Sequence, residues 1–210
     1  MKTTSGLFTV LALGLSLTAC FNEDTLEDVP DHMYSFACVD TDSKGLFSRL
    51  KEDSGESYTI RDFQMTPLVA DTTYRLICTY SYNGDGSIDL NQATEIISGY
   101  ARRVEDFADG LVKEDPMNLS SAWVSGGYLN IILAIKCLDK SHRLAVVDYS
   151  TDNDVIFGFY HDENGDTRSY DKYAYVSVPL SPYNLDTGDT LRFYMNGYDG
   201  KTQNFELTYK

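Results

Sequence analysis

The chain has 210 residues, 42% of them hydrophobic, enough to pack the core of one large or two small domains. Its 32 acidic residues against 17 basic ones give a formal net charge of −15, and only Arg102 and Arg103 place two basic residues side by side. Such a surface repels phosphate backbones and offers no patch for counterion release, which excludes a nucleic-acid partner.

From the first residue, "MKTTSGLFTVLALGLSLTAC" carries a basic Lys2, an apolar run from Leu7 to Leu17, and small residues before Cys20. That is the pattern of a secretory leader over 1–19. The run is too short to span a bilayer and remain there. Its end, Leu17-Thr18-Ala19-Cys20, resembles the bacterial lipobox, in which the cysteine thiol is lipidated and becomes the new N-terminus. The resemblance implies a lipoprotein whose membrane partner is reached through lipidated Cys20. Several acyl chains, at about 0.8 kcal/mol per buried CH₂, anchor a protein without any spanning helix. Residues 20–32 read as an acidic, core-poor tether. "FNEDTLEDVPD" within it resembles the acidic tag that sends lipoproteins of the Bacteroidota to the outer face of the outer membrane. It therefore implies a lipid-anchored, surface-exposed outer-membrane protein of a Gram-negative bacterium. Removing the leader leaves 16 basic residues against 32 acidic ones, a net charge of about −16.

Beyond residue 33 the apolar pattern has period two, as in "YRLICTY", "YLNIILAIKC", "VIFGFYH", "AYVSVPL", "LRFYMN" and "FELTY". Turn signals separate these runs: "DSGES", "NGDG", "SGG", "ENGD", "DTGD" and "YDGK". The stretch "NQATEIISGYARRVEDF" fits helix or strand, but Gly99 in its middle and an equally good alternation favour strand. The core signal is weakest through "DGLVKEDPMNLSS", so a domain boundary is expected before Pro116, giving two β domains over 33–115 and 116–210. Sixteen Tyr and a single Trp fit sheets with aromatic cross-strand pairs. With Cys20 lipidated, Cys38, Cys78 and Cys137 remain. One disulfide and one free thiol is one arrangement, but each sits on the apolar parity of a strand (Tyr34/Phe36/Cys38, Leu76/Cys78/Tyr80, Ile131/Leu133/Ile135/Cys137), which favours buried thiols.

"SYNGDGSIDLNQ", Ser81 to Gln92, superficially matches a calcium loop. Aligned on Gly86, it places Asn83, Asp85, Ser87 and Asp89 at ligand positions, but the closing positions hold Ser81 and Gln92, and strands rather than helices flank it. Asn83-Gly84 and Asp85-Gly86 are residues of tight hairpins, so a hairpin is expected. Asp162-Glu163-Asn164-Gly165-Asp166 is likewise expected to be a hairpin. "DGKT", Asp199 to Thr202, lacks the upstream glycine of a phosphate loop. Of His32, His142 and His161, only His142 has a His or Cys three to five residues away, Cys137, and one such pair is too few ligands, so no metal site is expected. "WVSGG" lacks the first glycine of a nucleophile elbow, and no catalytic residue and no cofactor are assigned.

"AWVSGGYLNIILAIK", "SHRLAVVD", "FYHDENGDTRSY" and "VSVPL" are similar in order and spacing to the NigD-like lipoproteins of Bacteroides and relatives. The matching features are Trp123, Tyr128 to Ile131, His142, and His161 through Asp166. The resemblance runs from about residue 31 to the end, and it is strongest in the C-terminal half; the N-terminal half matches mainly through "TYRLICTYSY". It implies an all-β chain, an N-terminal OB-like barrel followed by a C-terminal antiparallel β-sandwich. It also implies immunity to a bacteriocin and no defined site residues.

The leading expectation is therefore a non-enzymatic, lipid-anchored envelope protein that binds a protein partner, with bacteriocin immunity as its named form. The alternative is a glycan-binding accessory lipoprotein, for which Tyr173 and Tyr175 are the candidate ligand-stacking residues. An envelope hydrolase is the third class.

Overall fold

The computed structural model describes residues 33–61, 63, 65–107 and 110–210, and the leader, Cys20, the tether and His32 lie outside them. Five strands come first: β1 (Met33–Thr41), β2 (Phe47–Glu52), β3 (Ser57–Ile60), β4 (Thr73–Tyr82) and β5 (Ser87–Glu95). They close into a barrel in the order β1-β2-β3-β5-β4. Every neighbouring pair is antiparallel except β3 with β5. This is the OB-like barrel that the family resemblance implied. Alternate side chains turn inward, and Ala37, Val39, Leu50, Ile60, Leu76, Cys78, Tyr80, Ile88 and Leu90 fill the interior.

The loop after β1 is closed by a glycine that has no substitute. Gly45 has φ +78°, and a Cβ there would be driven into the carbonyl of Leu68, whose own N–H donates to Gly45 O at 2.9 Å. Gly45→Ala is expected to cost about 1–3 kcal/mol, because both the backbone conformation and the close approach are lost. A urea midpoint equal to that of the unaltered chain would refute this.

The chain then builds a sandwich. β6 (Ile97–Ser98) and β7 (Arg102–Arg103) precede a single 3₁₀ turn, Val104–Asp106. β8 (Asn118–Ser125), β9 (Tyr128–Cys137), β10 (Arg143–Asp148), β11 (Val155–Asp162), β12 (Tyr170–Pro179), β13 (Thr190–Asn196) and β14 (Thr202–Thr208) follow. One sheet has the order β6-β12-β9-β8, the other β14-β13-β11-β10-β7. Leu129, Ile131, Leu133, Phe157, Phe159, Val176, Val178, Leu191 and Phe193 lie in the core between them.

Strand pairing divides the chain earlier than Pro116. Ile97 and Ser98 pair in parallel with Val176 and Ser177 of β12, and Arg102 and Arg103 pair with Val147 and Asp148 of β10. Residues 97–103 thus shield an edge of each sandwich sheet. Pro116 itself stands beside Met117, a core residue whose N–H donates to Asn196 O at 2.8 Å. The acidic stretch 162–166 is not a hairpin: β11 and β12 belong to different sheets, so it is the start of a crossover between them. Asn164 (φ +54°) and Gly165 (φ +63°) make the bend. A tight turn and two flanking strands look the same in sequence whether the strands pair or part.

Barrel and sandwich meet along the outer faces of β1 and β4. Phe36 and Ile77, with Ile96, pack against Trp123, Ile132 and Tyr175, and Phe36 meets Trp123 edge-on at 5.0 Å between centroids. Both faces of β1 are therefore buried. Ala37 and Val39 face the barrel interior, while Phe36 and Cys38 face the sandwich, which leaves Cys38 half-buried where its strand parity favoured a buried thiol.

Candidate functional site

The calcium-like loop is the β4–β5 hairpin, with Tyr82 opposite Ile88 and with Gly84 (φ +77°) and Gly86 (φ +81°) in its turn. Its Asp85 and Ser87 oxygens are already engaged. Asp85 Oδ1 accepts from Ser87 N (3.0 Å) and Ser87 Oγ (2.5 Å), and Asp85 Oδ2 accepts from Arg61 at 2.7 Å. The Ser87 hydroxyl first, then Arg61 and the Ser87 amide, hold the Asp85 carboxyl down to about 2. A guanidinium thus occupies the place where a calcium loop would offer open oxygens. Among the described residues, no group of three or more His, Cys, Asp or Glu side chains is arranged to hold a metal ion. "WVSGG" is the β8–β9 hairpin turn, and the three remaining cysteines are free thiols: Cys78 and Cys137 are buried, Cys38 half-buried. Burial pushes the Cys78 thiol up to about 12, which makes it inert.

Two polar networks come from residues far apart in sequence. The first lies between barrel and sandwich. Arg75, in the middle of the apolar run "TYRLICTY", has a side chain only 3% exposed and forms a bidentate pair with Asp53 at 2.6 and 2.8 Å. Its Nε donates to Ser177 Oγ (3.0 Å) and its Nη2 to Asn130 Oδ1 (3.0 Å), and Nη1 reaches Cys38 Sγ at 3.8 Å. The guanidinium stacks over Tyr128 at 4.1 Å. Asp53 in turn accepts from Ser125 Oγ (2.6 Å) and Asn130 Nδ2 (3.3 Å), and Trp123 Nε1 donates to Ser125 Oγ at 3.0 Å. Burial opposes the charge on Arg75, but the bonds and charge of Asp53, with Cys38, outweigh it and raise the guanidinium above its ordinary value. Gly126 (φ +58°) is demanded by the same network, since a Cβ there would lie 2.5 Å from Asp53 Oδ1.

All five N–H donors of Arg75 are directed at protein partners, so this residue is a fastener rather than a ligand-binding group. Beside it opens a crevice of about 240 Å³ lined by Cys38, Thr73, Tyr74, Glu95, Ser98 and Tyr128. No sequence motif announced the network. The available signal was a lone arginine inside an apolar strand, a position that must be paired if it is buried.

The second network lies in the sandwich and gathers three residues that the family resemblance had singled out. β10 and β11 are antiparallel neighbours with Leu144 opposite His161. His142, just before β10, therefore reaches His161: Nδ1 of His142 and Nε2 of His161 are 2.9 Å apart. His161 Nδ1 lies 2.9 Å from Asp115 O, and His142 Nε2 lies 3.3 Å from Asp166 Oδ2. His161 is fully buried, and the side chains of His142 and Asp166 are 9% and 1% exposed. Burial, reinforced by the neighbouring His142, pushes His161 below its ordinary value of 6.5, more than the Asp115 carbonyl offsets. Burial works to raise Asp166, but the amides of Leu138, Asp139 and Thr167, with His142, hold it well below the usual carboxylate range.

Tyr173 and Tyr175 share the outer face of the β6-β12-β9-β8 sheet, but the structure separates their environments. Tyr173 is 59% exposed, whereas Tyr175 packs against Phe36 in the barrel–sandwich cluster. They do not form a two-ring platform for a sugar.

Known proteins share this architecture. The family model for the NigD-like C-terminal β-sandwich domain matches residues 101–209. The chain is similar to the crystal structure of a NigD-like immunity protein from Bacteroides caccae, at 25% identity and a TM-score of 0.69 over 87% of this chain and 100% of that one. A candidate toxin-related protein from Parabacteroides distasonis has 20% identity and a TM-score of 0.68 over 86% of this chain and 94% of that one. A candidate lipoprotein from Bacteroides fragilis has 14% identity and a TM-score of 0.61 over 85% and 98% respectively. At these lower identities the last two show a shared fold. None of the curated proteins matches the sequence. With its sandwich, its Trp123 and Tyr-Leu-Asn-Ile strand, and a family match over more than half its length, the chain belongs to the NigD-like family.

Proposed function

We propose that this protein is a non-enzymatic, lipid-anchored outer-membrane protein that confers immunity to a bacteriocin by binding a protein partner. The observation that carries the reading is the likeness to a NigD-like immunity protein over that chain's whole length. A binding role also fits the architecture. Arg75 and Asp53 of the barrel bond Ser125, Asn130 and Ser177 of the sandwich and join the two into one body, so loops of both offer a single preformed surface, which lowers the cost of association. Anchoring rests on Leu17-Thr18-Ala19-Cys20, and no helix among the described residues is long and apolar enough to cross a membrane. Deleting the gene is expected to make cells sensitive to the toxin encoded beside it, with resistance restored by the intact gene on a plasmid. Equal killing of deleted and parental cells by that toxin would overturn the reading.

A further inference from the structure

We propose that His142, His161 and Asp166 form an acid-sensitive latch, in which an imidazolium at His142 bridges the Asp166 carboxylate and the bare Nε2 of His161. The directions of the hydrogen bonds require this. A carbonyl oxygen only accepts, so His161 Nδ1, 2.9 Å from Asp115 O, carries a proton. The neutral ring then presents Nε2 as a lone pair, and His142 Nδ1 at 2.9 Å must donate to it. The ionised Asp166 also only accepts, so His142 Nε2 at 3.3 Å must donate as well. Both nitrogens of His142 therefore carry protons. A neutral His142 would set two lone pairs against each other, at Asp166 or at His161, in a site nearly closed to water.

Acid disrupts the arrangement at one atom. A second proton on His161 can go only to Nε2, where it removes the acceptor for His142 and brings two cations into contact. His161 is held below its ordinary 6.5, so the closed form binds fewer protons than an opened one as the pH falls below that value. The closed form is thus weakened as the pH falls below that value.

Carboxylates, lysines and arginines make up the other charged groups around the rings. Lys113, Glu114 and Asp115 lie on the segment before β8, Asp139 and Lys140 on the β9–β10 turn, and Arg143 on β10. Asp162 ends β11, and Glu163 and Arg168 lie in the crossover. They are carboxylates and bases, and among unperturbed side chains only imidazoles titrate between about pH 5 and 8.

The latch ties the β9–β10 turn to the crossover after β11. Asp166 accepts the N–H groups of Leu138 (2.8 Å) and Thr167 (2.8 Å), and Lys140 Nζ donates to Gly165 O at 2.7 Å. Opening it frees the β9–β10 turn from the crossover. This device is independent of the partner-binding reading, since it concerns the protein alone.

Nitrogen-15 spectra of the imidazoles and amide hydrogen exchange in the full-length, detergent-solubilised protein test it. At about pH 7, His142 is expected to show two protonated nitrogens and His161 a proton on Nδ1 alone. Protection of the Leu138 and Thr167 amides, corrected for intrinsic exchange, is expected to fall about tenfold between about pH 7 and pH 5. His161→Gln is expected to abolish that fall. A bare nitrogen on His142 at the higher pH, unchanged protection across the range, or an undiminished fall in His161→Gln would each overturn the latch. Should His161→Gln not fold, the spectra of the unaltered protein decide.

Discussion

Replacing Arg75 with alanine is expected to lower the unfolding free energy by about 3–5 kcal/mol, because truncating one member of a buried ion pair leaves the other charge without its partner. The side chain of Asp53 is 15% exposed and keeps Ser125 and Asn130 as donors, which places the expected loss toward the lower end. Asn130 and Ser177 lose their guanidinium partner at the same time, and the face of Tyr128 loses its cation. Lysine is a poor substitute, since one ammonium cannot make the two parallel bonds to a carboxylate and still reach Ser177 and Asn130. Adding Asp53→Asn to Arg75→Ala is expected to recover part of the loss by removing the stranded charge. The double-mutant cycle by urea denaturation measures that coupling. A loss below about 1 kcal/mol for Arg75→Ala would mean that the apolar cluster of Phe36, Ile77, Trp123 and Tyr175 holds the two parts together unaided.

The second large effect concerns location. Cys20→Ser is expected to move the protein from the membrane pellet to the soluble fraction almost completely. One acyl chain binds a bilayer only reversibly, with an association constant of about 10⁴ M⁻¹, and stable anchoring needs more than one. Without the thiol no chain is attached, and a chain with 32 acidic residues against 17 basic ones is repelled by anionic headgroups. Cell fractionation with mass spectrometry of the N-terminal peptide measures this. An unacylated N-terminus in the parental protein, or a Cys20→Ser form that still sediments with membranes, would remove the anchor from the proposal.

Much of the fold was legible because period-two alternation is a local property. "YLNIILAIKC" and "LRFYMN" became β9 and β13 with their apolar residues inward, and "NGDG" became the turn of the β4–β5 hairpin. Alternation misled where a strand has two buried sides. In β1 the sandwich covers the face that a lone barrel would expose, so Phe36 and Cys38 face the sandwich while Ala37 and Val39 form the barrel interior. The same cause removed Tyr175 from the exposed row that Tyr173 occupies. The networks were illegible for a related reason. Arg75 meets Asp53 only when β2 and β4 flank β1 in the barrel and meets Asn130 and Ser177 only after the barrel has docked, and His142 meets His161 only in the register of β10 with β11.

Composition, alternation and turn residues by themselves determined an acidic all-β chain with strands in these places, because each depends on neighbours within a few positions. The family resemblance carried the division into barrel and sandwich. Which turns are hairpins and which are crossovers, which strand faces are covered, and which polar side chains share a proton or an ion pair were decided by tertiary structure alone. These depend on docking and register, where one residue of slip exchanges the buried face for the exposed one, and no short stretch of sequence records that choice.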